Sequence, residues 1–276
     1  MYGRTLATAC LMVVLGIRIG NGADEPAAEE AKSLSNIRQV TKSFPRAGEG
    51  YFSPDGTQIV YQAYPLGYPF YQIYTQPLDK FEPRRVSPGR GRTTCAYFSP
   101  DGKQIVFTST RDGDPDIYVM NADGSNVRQI TNVDGYDGGP FFSPDDKWII
   151  YRTDRKAKDM LQVHVISATG EHDTPLTDNT NQVNWAPYFH PNGKTIIWTA
   201  ADYSRGPMGA NFDLWVMDVD WKDGRPKPGT PRRVTTHAKA DVLPVFSPDG
   251  KKLMWTSSRT EDGSSQLWIA DWLGNN

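Results

Sequence analysis

Apolar and polar positions along this chain fall into blocks that recur about every 45 residues. Each block is organised around one five-residue phrase: FSPDG at 52–56, FSPDG at 98–102, FSPDD at 142–146, FHPNG at 189–193 and FSPDG at 246–250. Successive starts lie 46, 44, 47 and 57 residues apart. A self-similar period of that length marks a repeat architecture, and a propeller blade is the unit that fits it. After each phrase comes a run that is apolar on both faces, from Gln58-Ile59-Val60-Tyr61 to Lys252-Leu253-Met254-Trp255. Such a run suits a strand sandwiched between neighbouring blades.

A second run alternates more clearly, as in Asp116-Ile117-Tyr118-Val119-Met120 and Asp213-Leu214-Trp215-Val216-Met217. It leads to a short polar strand ending in Thr or Ser, as in Gln129-Ile130-Thr131 and Arg233-Val234-Thr235. A short inner strand precedes each phrase, as in Gly139-Pro140-Phe141-Phe142. Four antiparallel strands per unit are what a blade requires. Within the phrase, proline pre-sets φ, aspartate tolerates the next turn position, and glycine accepts positive φ.

The last repeat, Pro244 to Leu273, supplies only three strands, and Ile37-Arg38-Gln39-Val40-Thr41 supplies the missing outer one. The pattern predicts an all-β, five-bladed propeller closed by an N-terminal strand that completes the last blade. That closure also removes two exposed sheet edges. A six-bladed ring, the alternative, needs a degenerate blade within 193–246, an interval only about ten residues longer than the others.

The run from Tyr97 through Phe98-Ser99-Pro100-Asp101-Gly102 to Arg111, and on through Asp116-Ile117-Tyr118 to Thr131, resembles the β-propeller repeat of the TolB family. It is also similar to propellers attached to dipeptidyl-peptidase-like hydrolases. The similarity covers roughly residues 36–273. TolB carries an α/β domain before a six-bladed propeller and binds a peptidoglycan-associated lipoprotein in the periplasm. Neither that first domain nor a hydrolase domain is expected within these 276 residues. The resemblance implies a non-enzymatic module that binds an envelope protein or peptide.

With 276 residues, 38% of them hydrophobic, one domain with a sizeable core is expected. Residues 1–23 place Arg4 before an apolar run, Leu6 to Ile17, and end on the small residues Gly20, Gly22 and Ala23. That order predicts a cleaved signal peptide and a periplasmic or secreted product. The apolar run is too short to span a bilayer, so no transmembrane segment is expected in the mature chain. Residues 24–35 are acidic and alanine-rich and read as a disordered lead-in, with 36–276 as the propeller domain. Cleavage removes Arg4 and Arg18 and moves the net charge from −2 to −4. A mildly acidic chain has no electrostatic footprint for nucleic acid. Cys95 would then be the sole cysteine, without a disulfide partner, and a monomer is expected.

No G-x-S-x-G, H-E-x-x-H or phosphate-cradling glycine loop occurs, so neither catalytic residues nor a cofactor are expected. Asp112-Gly113-Asp114-Pro115-Asp116 imitates a calcium loop, but Ile117 stands where that loop needs glycine, and no metal is expected. The candidate site is a polar set just before the inner strands: Thr93, Asp137, Asn184 and Asp241. These are expected at the mouth of the central channel, contacting a partner, with loop tethering as the competing role. Secondary candidates are Arg111 and Arg259, at matching offsets in their blades together with Arg155 and Arg205. Tyr64 and Tyr68, in an aromatic loop, complete the set. A rival reading is a carbohydrate-binding or carbohydrate-active propeller, with Asp137 and Asp241 facing each other across the channel within about 10 Å.

Overall fold

Strands form where the repeats place them. The computed structural model describes residues 29–53, 55–67, 72–85, 97–110, 112–121, 125–222 and 224–274. The chain enters through β1 (Leu34–Gln39). Blade I is β2 (Ala47–Phe52), β3 (Gln58–Ala63), β4 (Gln72–Pro77) and β5 (Arg84–Arg85). Blade II is β6 (Tyr97–Phe98), β7 (Gln104–Ser109), β8 (Asp116–Asn121) and β9 (Arg128–Gln129). Blade III is β10 (Asp137–Phe142), β11 (Trp148–Thr153), β12 (Gln162–Ser167) and β13 (Thr174–Pro175).

Blade IV begins with β14 (Gln182–Phe189), β15 (Thr195–Asp202) and β16 (Asp213–Lys222). The far end of β16 pairs with β17 (Arg225–Pro228), and its near part pairs with β18 (Arg232–Arg233). The long 189–246 interval therefore extends strands and adds a hairpin; it holds no sixth blade. Blade V joins β19 (Asp241–Phe246), β20 (Lys252–Ser257) and β21 (Gln266–Trp272) to β1.

Closure follows the expected route. β1 runs antiparallel to β21, with Leu34 opposite Trp272 and Gln39 opposite Trp268. The strand starts at Leu34, ahead of the expected Ile37, and part of the lead-in expected to be disordered is ordered. Glu29 and Glu30 form a helical turn, and Ser33 is fully buried. Residues 1–28, with the expected leader, lie outside the described residues. Among the described residues no helix is long and apolar enough to cross a membrane.

Turn chemistry explains the repeated phrase. Gly56, Gly102, Gly193 and Gly250 sit at φ between 68° and 71°, and Asp146 at 60°. The Gly56 N–H donates to the Ser53 carbonyl, and the Ser53 hydroxyl accepts from the Gln58 N–H while donating to Asp55. In blade IV the same jobs pass to other side chains: Asn192 N–H donates to His190 Nδ1, and Lys194 N–H to Asn192 Oδ1.

The core sits in the seams between blades, lined by second-strand residues such as Tyr61, Tyr151, Trp198 and Trp255, all essentially inaccessible. Four of the outer segments contribute an apolar residue followed by threonine. Val40, Ile130, Leu176 and Val234 are buried. The next hydroxyls, of Thr41, Thr131, Thr177 and Thr235, accept from the N–H of Leu267, Ile117, Val163 and Leu214. Strand sense puts the phrase turns on one face of the disc. The loops after the second strands and those entering the inner strands lie on the other.

Inner strands carry a feature that the alternation of apolar and polar positions does not signal. Their register slips between Gly48 and Tyr51, Gly138 and Phe141, Trp185 and Tyr188, and Val242 and Val245. Within each slip one residue is left-handed: Glu49, Gly139, Ala186 and Leu243, at φ 49°, 60°, 49° and 57°. Bulges of this kind bend a strand and re-aim its side chains.

Candidate functional site: the channel mouth

Beyond each bulge the residue before the phrase turns inward. Ring centroids of Tyr51 and Tyr97 lie 4.8 Å apart, those of Tyr97 and Phe141 4.3 Å, and those of Phe141 and Tyr188 5.1 Å. Tyr51 in blade I also lies 6.2 Å from Phe141 in blade III. Blades I and III are not neighbours, so these rings meet at the axis and form a floor there.

Over this floor stand Glu49, Gln62, Tyr136, Arg152 and Trp185, all half-buried. The Glu49 carboxylate accepts from the Tyr51 hydroxyl at 3.2 Å and from Gln62 Nε2. Burial pushes the Glu49 carboxyl above its ordinary range, against the Tyr51 hydrogen bond and the positive charge of Arg152. Arg152 donates to the Tyr136 hydroxyl at 2.9 Å, with its guanidinium 5.6 Å from the Tyr136 ring and 5.7 Å from the Trp185 ring. Glu49 belongs to blade I and Arg152 to blade III, so the two charges face one another across the channel. Chemically this is an oriented acceptor and an oriented donor fork above an apolar base, a set suited to polar and ionic contacts with a ligand.

The signal for Arg152 was legible. The fifth residue of the second strand reads Gln62, Thr108, Arg152, Thr199 and Thr256 through the five blades. Thr199 accepts the Leu243 N–H and Thr256 the Glu49 N–H, each tying down the bulge of the following blade. Arg152 and Gln62 depart from that structural role: Gln62 donates to Glu49 and Arg152 to the Tyr136 hydroxyl.

The residues expected at the mouth are placed differently. Asp137 and Asp241 are fully buried and Asn184 nearly so. Their backbone N–H groups donate to Pro115, Phe212 and Leu161 carbonyls of the preceding blade, which turns the side chains into the seams. Asp137 accepts from Arg155 at 2.8 Å. Asp241 accepts from Trp255 Nε1 at 3.0 Å and from Arg259 at 2.7 Å. Asn184 accepts from Trp198 Nε1 at 2.9 Å and donates to Gln162.

The burial of these three side chains and of Arg259 favours the loop-tethering role weighed beside partner contact for them. Asp241 and Arg259 are brought together, whereas Asp137 and Asp241 are each committed to their own blade's arginine. Tyr64 is half-buried beneath Arg46, whose guanidinium lies 5.8 Å from its ring. Thr93, Tyr68 and Arg111 lie outside the described residues. Asp112 accepts from Tyr118, and Asp114 from the Gly135 N–H. Among the described residues no group of three or more His, Cys, Asp or Glu is placed to hold a metal.

Comparison with known proteins agrees with this architecture. Residues 32–221 match the family model described as the TolB beta propeller domain. The chain belongs to the TolB β-propeller family. It is 32% identical over 153 residues to a protein TolB homolog of Chlorobium chlorochromatii, covering 55% of this chain and 31% of that one. It is 26% identical over 141 residues to a Tol-Pal system protein TolB of Helicobacter hepaticus, covering 51% and 31%. The chain thus spans about a third of the length of these relatives. Among solved structures, an oligogalacturonate lyase in complex with manganese superposes with a TM-score of 0.51 at 13% identity, covering 86% of this chain and 93% of that one. At that identity the likeness concerns the fold.

Proposed function

We propose that this chain is an exported, non-enzymatic protein-interaction module of the cell envelope, and that it takes a segment of a partner protein at the channel mouth. Membership of the TolB family supports the class of function. The observation that carries the site is the electrostatic attraction between Glu49 and Arg152, brought from non-adjacent blades above an aromatic floor. Both charges are oriented by neighbouring side chains and remain partly open to solvent. Asp137, Asn184, Asp241 and Arg259 act in this reading as the frame that holds the surrounding loops. The carbohydrate-active alternative needs a free pair of carboxylates. Its candidates, Asp137 and Asp241, are instead buried and ion-paired.

A photo-cross-linking residue at position 136, introduced into the full chain in its envelope, tests the reading. The expected result is a discrete protein adduct that disappears in a Glu49→Gln, Arg152→Gln double variant. A cross-linker at Asn192, on the opposite face, is expected to give none. Equal adduct yield in the double variant would exclude the mouth. Binding on a glycan array that depends on the same two residues would favour the carbohydrate reading.

A further inference from the structure

Three departures from the repeat meet on the face opposite the channel mouth, between blades IV and V. The blade IV phrase reads FHPNG, so His190 and Asn192 stand where the other four phrases carry serine and aspartate. The third strands of blades I to III end at Pro77, Asn121 and Ser167, whereas β16 runs past its matching residue, Asp218, to Lys222. In blade V the matching residue is Asp271, and β21 continues to Trp272. The common pattern already serves the fold, so residues that break it together on one patch point to a separate role.

These elements wall a cleft of about 680 Å³, inside the range of about 300–1,000 Å³ typical of small-molecule sites. Side chains two apart on a strand share a face. Leu214 and Val216 of β16 are buried against blade V, and Asp218 and Asp220 continue that row beyond the seam. Trp268, Ala270 and Trp272 form the row of β21 that faces blade IV. One wall is therefore acidic and the other aromatic. The blade IV turn, with His190, Asn192, Lys194 and Thr195, makes the floor.

The site is held in shape by its own hydrogen bonds. His190 Nδ1 accepts the Asn192 N–H at 3.1 Å, and Nε2 donates to the Gly250 carbonyl of blade V at 3.1 Å. The His190 ring lies 4.6 Å from that of Phe246, which meets the Trp272 ring edge to face at 5.1 Å and fixes it. Asn192 Nδ2 donates to the Thr195 hydroxyl, which donates to Asp218 Oδ1 at 2.8 Å and orients that carboxylate. Trp272 is half-buried, and Asp218, Asp220 and Lys194 are exposed.

Neither sign of charge dominates. Asp218 and Asp220 share the cleft with Lys194, and Lys227 stands opposite Asp220 across the hairpin. Lys252 and Asp271, beside the aromatic wall, pair with each other at 2.7 Å. A balanced field gives a free ion little reason to settle here. Oriented carboxylates, an ammonium and an indole ring instead match a ligand with hydroxyls on its edge and C–H groups on its faces. We propose that this cleft is a second binding site, independent of the channel mouth, and that it takes a neutral saccharide. Trp272 packs against a pyranose face, Asp218 and Asp220 accept its hydroxyls, and Lys194 donates to a sugar oxygen.

An array of neutral homo-oligosaccharides of glucose, galactose, mannose and N-acetylglucosamine, with oligogalacturonate as the acidic comparison, tests the full chain. Calorimetric titration with the tightest of them then ranks the variants. At least one neutral series is expected to bind, and oligogalacturonate is not. Asp220→Ala, at an exposed position, is expected to weaken binding on the order of tenfold, as for a lost hydrogen bond to a charged group. Trp272→Ala is expected to weaken it further, and the Glu49→Gln, Arg152→Gln double variant to bind as wild type does. Capture of no neutral oligosaccharide at millimolar concentration would overturn the proposal. So would a preference for oligogalacturonate, or wild-type affinity in either cleft variant. Loss of binding in the Glu49, Arg152 double variant would move the saccharide to the mouth and overturn it as well.

Discussion

Left-handed backbone at one turn position connects the phrase to measurable stability. Gly102 sits at φ 71°, and a Cβ added there meets no atom within 4 Å. Gly102→Val therefore isolates the backbone term and should cost about 1–2 kcal/mol in a urea titration. Asp146 holds the same conformation at φ 60°, with a buried, unbonded Oδ1 and a carboxyl raised by burial and by Asp101. Asp146→Gly should be neutral or stabilising by up to about 1 kcal/mol, and a clear loss would show that its side chain matters. Gly50 answers to a different constraint. A Cβ there falls 2.6 Å from Leu267 Cδ1 in the adjoining blade, so Gly50→Ala should lose about 1–3 kcal/mol through overpacking, read from the denaturation midpoint. The turn glycines were legible because their chemistry is local. Gly50 was not, because the atom that excludes a side chain lies more than two hundred residues away.

Ion pairs tie the loop after the second strand to the start of the inner strand within two of the blades. Asp137 with Arg155, and Asp241 with Arg259, share a spacing of 18 residues. Asn184 has no acid to offer, and Arg205 is exposed. Asp241→Ala would leave Arg259 buried between the Trp255 and Trp268 rings, at 5.2 and 5.6 Å, without its seam partner. Leaving a buried charge unpaired costs about 3–5 kcal/mol, and because Arg259 keeps Glu30 as a second partner the loss should fall at the lower end of that range. Arg205→Ala should stay within about 0.5 kcal/mol, as exposed positions do. Thermal melts of the two variants check the contrast, and similar melts would contradict the seam role. Replacing Asp137, Asn184 and Asp241 together should therefore damage folding, where exposed loop tips would have tolerated it. The strand rhythm was readable from alternation alone, but which polar residues enter a seam depends on how consecutive blades twist past each other.

The ring as a whole depends on β1. Deleting residues 34–41 removes the outer strand of blade V together with Leu34 and Val40, both buried, and should lower the melting temperature by about 10 °C or more. Its acid limit is set elsewhere. Asp55, Asp101, Asp145 and Asp249 are held below their ordinary pKa chiefly by hydrogen bonds from the turn serines and the following N–H groups, Asp145 despite some burial and Asp101 down to about 2. Their contribution is present above about pH 4 and is lost as pH falls towards 2, whereas Asp213, pushed up to about 7 chiefly by burial, contributes stability that is lost as pH rises from about 4 to about 7. Melting followed from pH 2 to pH 8 should therefore decline at both ends. Repeat period, strand order, blade number, closure and turn geometry could all be read in the amino acids, because each depends on neighbours close in the chain or on copies of one pattern. The bulges, the meeting of Glu49 and Arg152, and the burial of Asp137 and Asp241 came only with the closed ring. Closure sets which side chains reach the axis and which are pressed into seams, and residues from blades I, III and V have no local signal of their encounter.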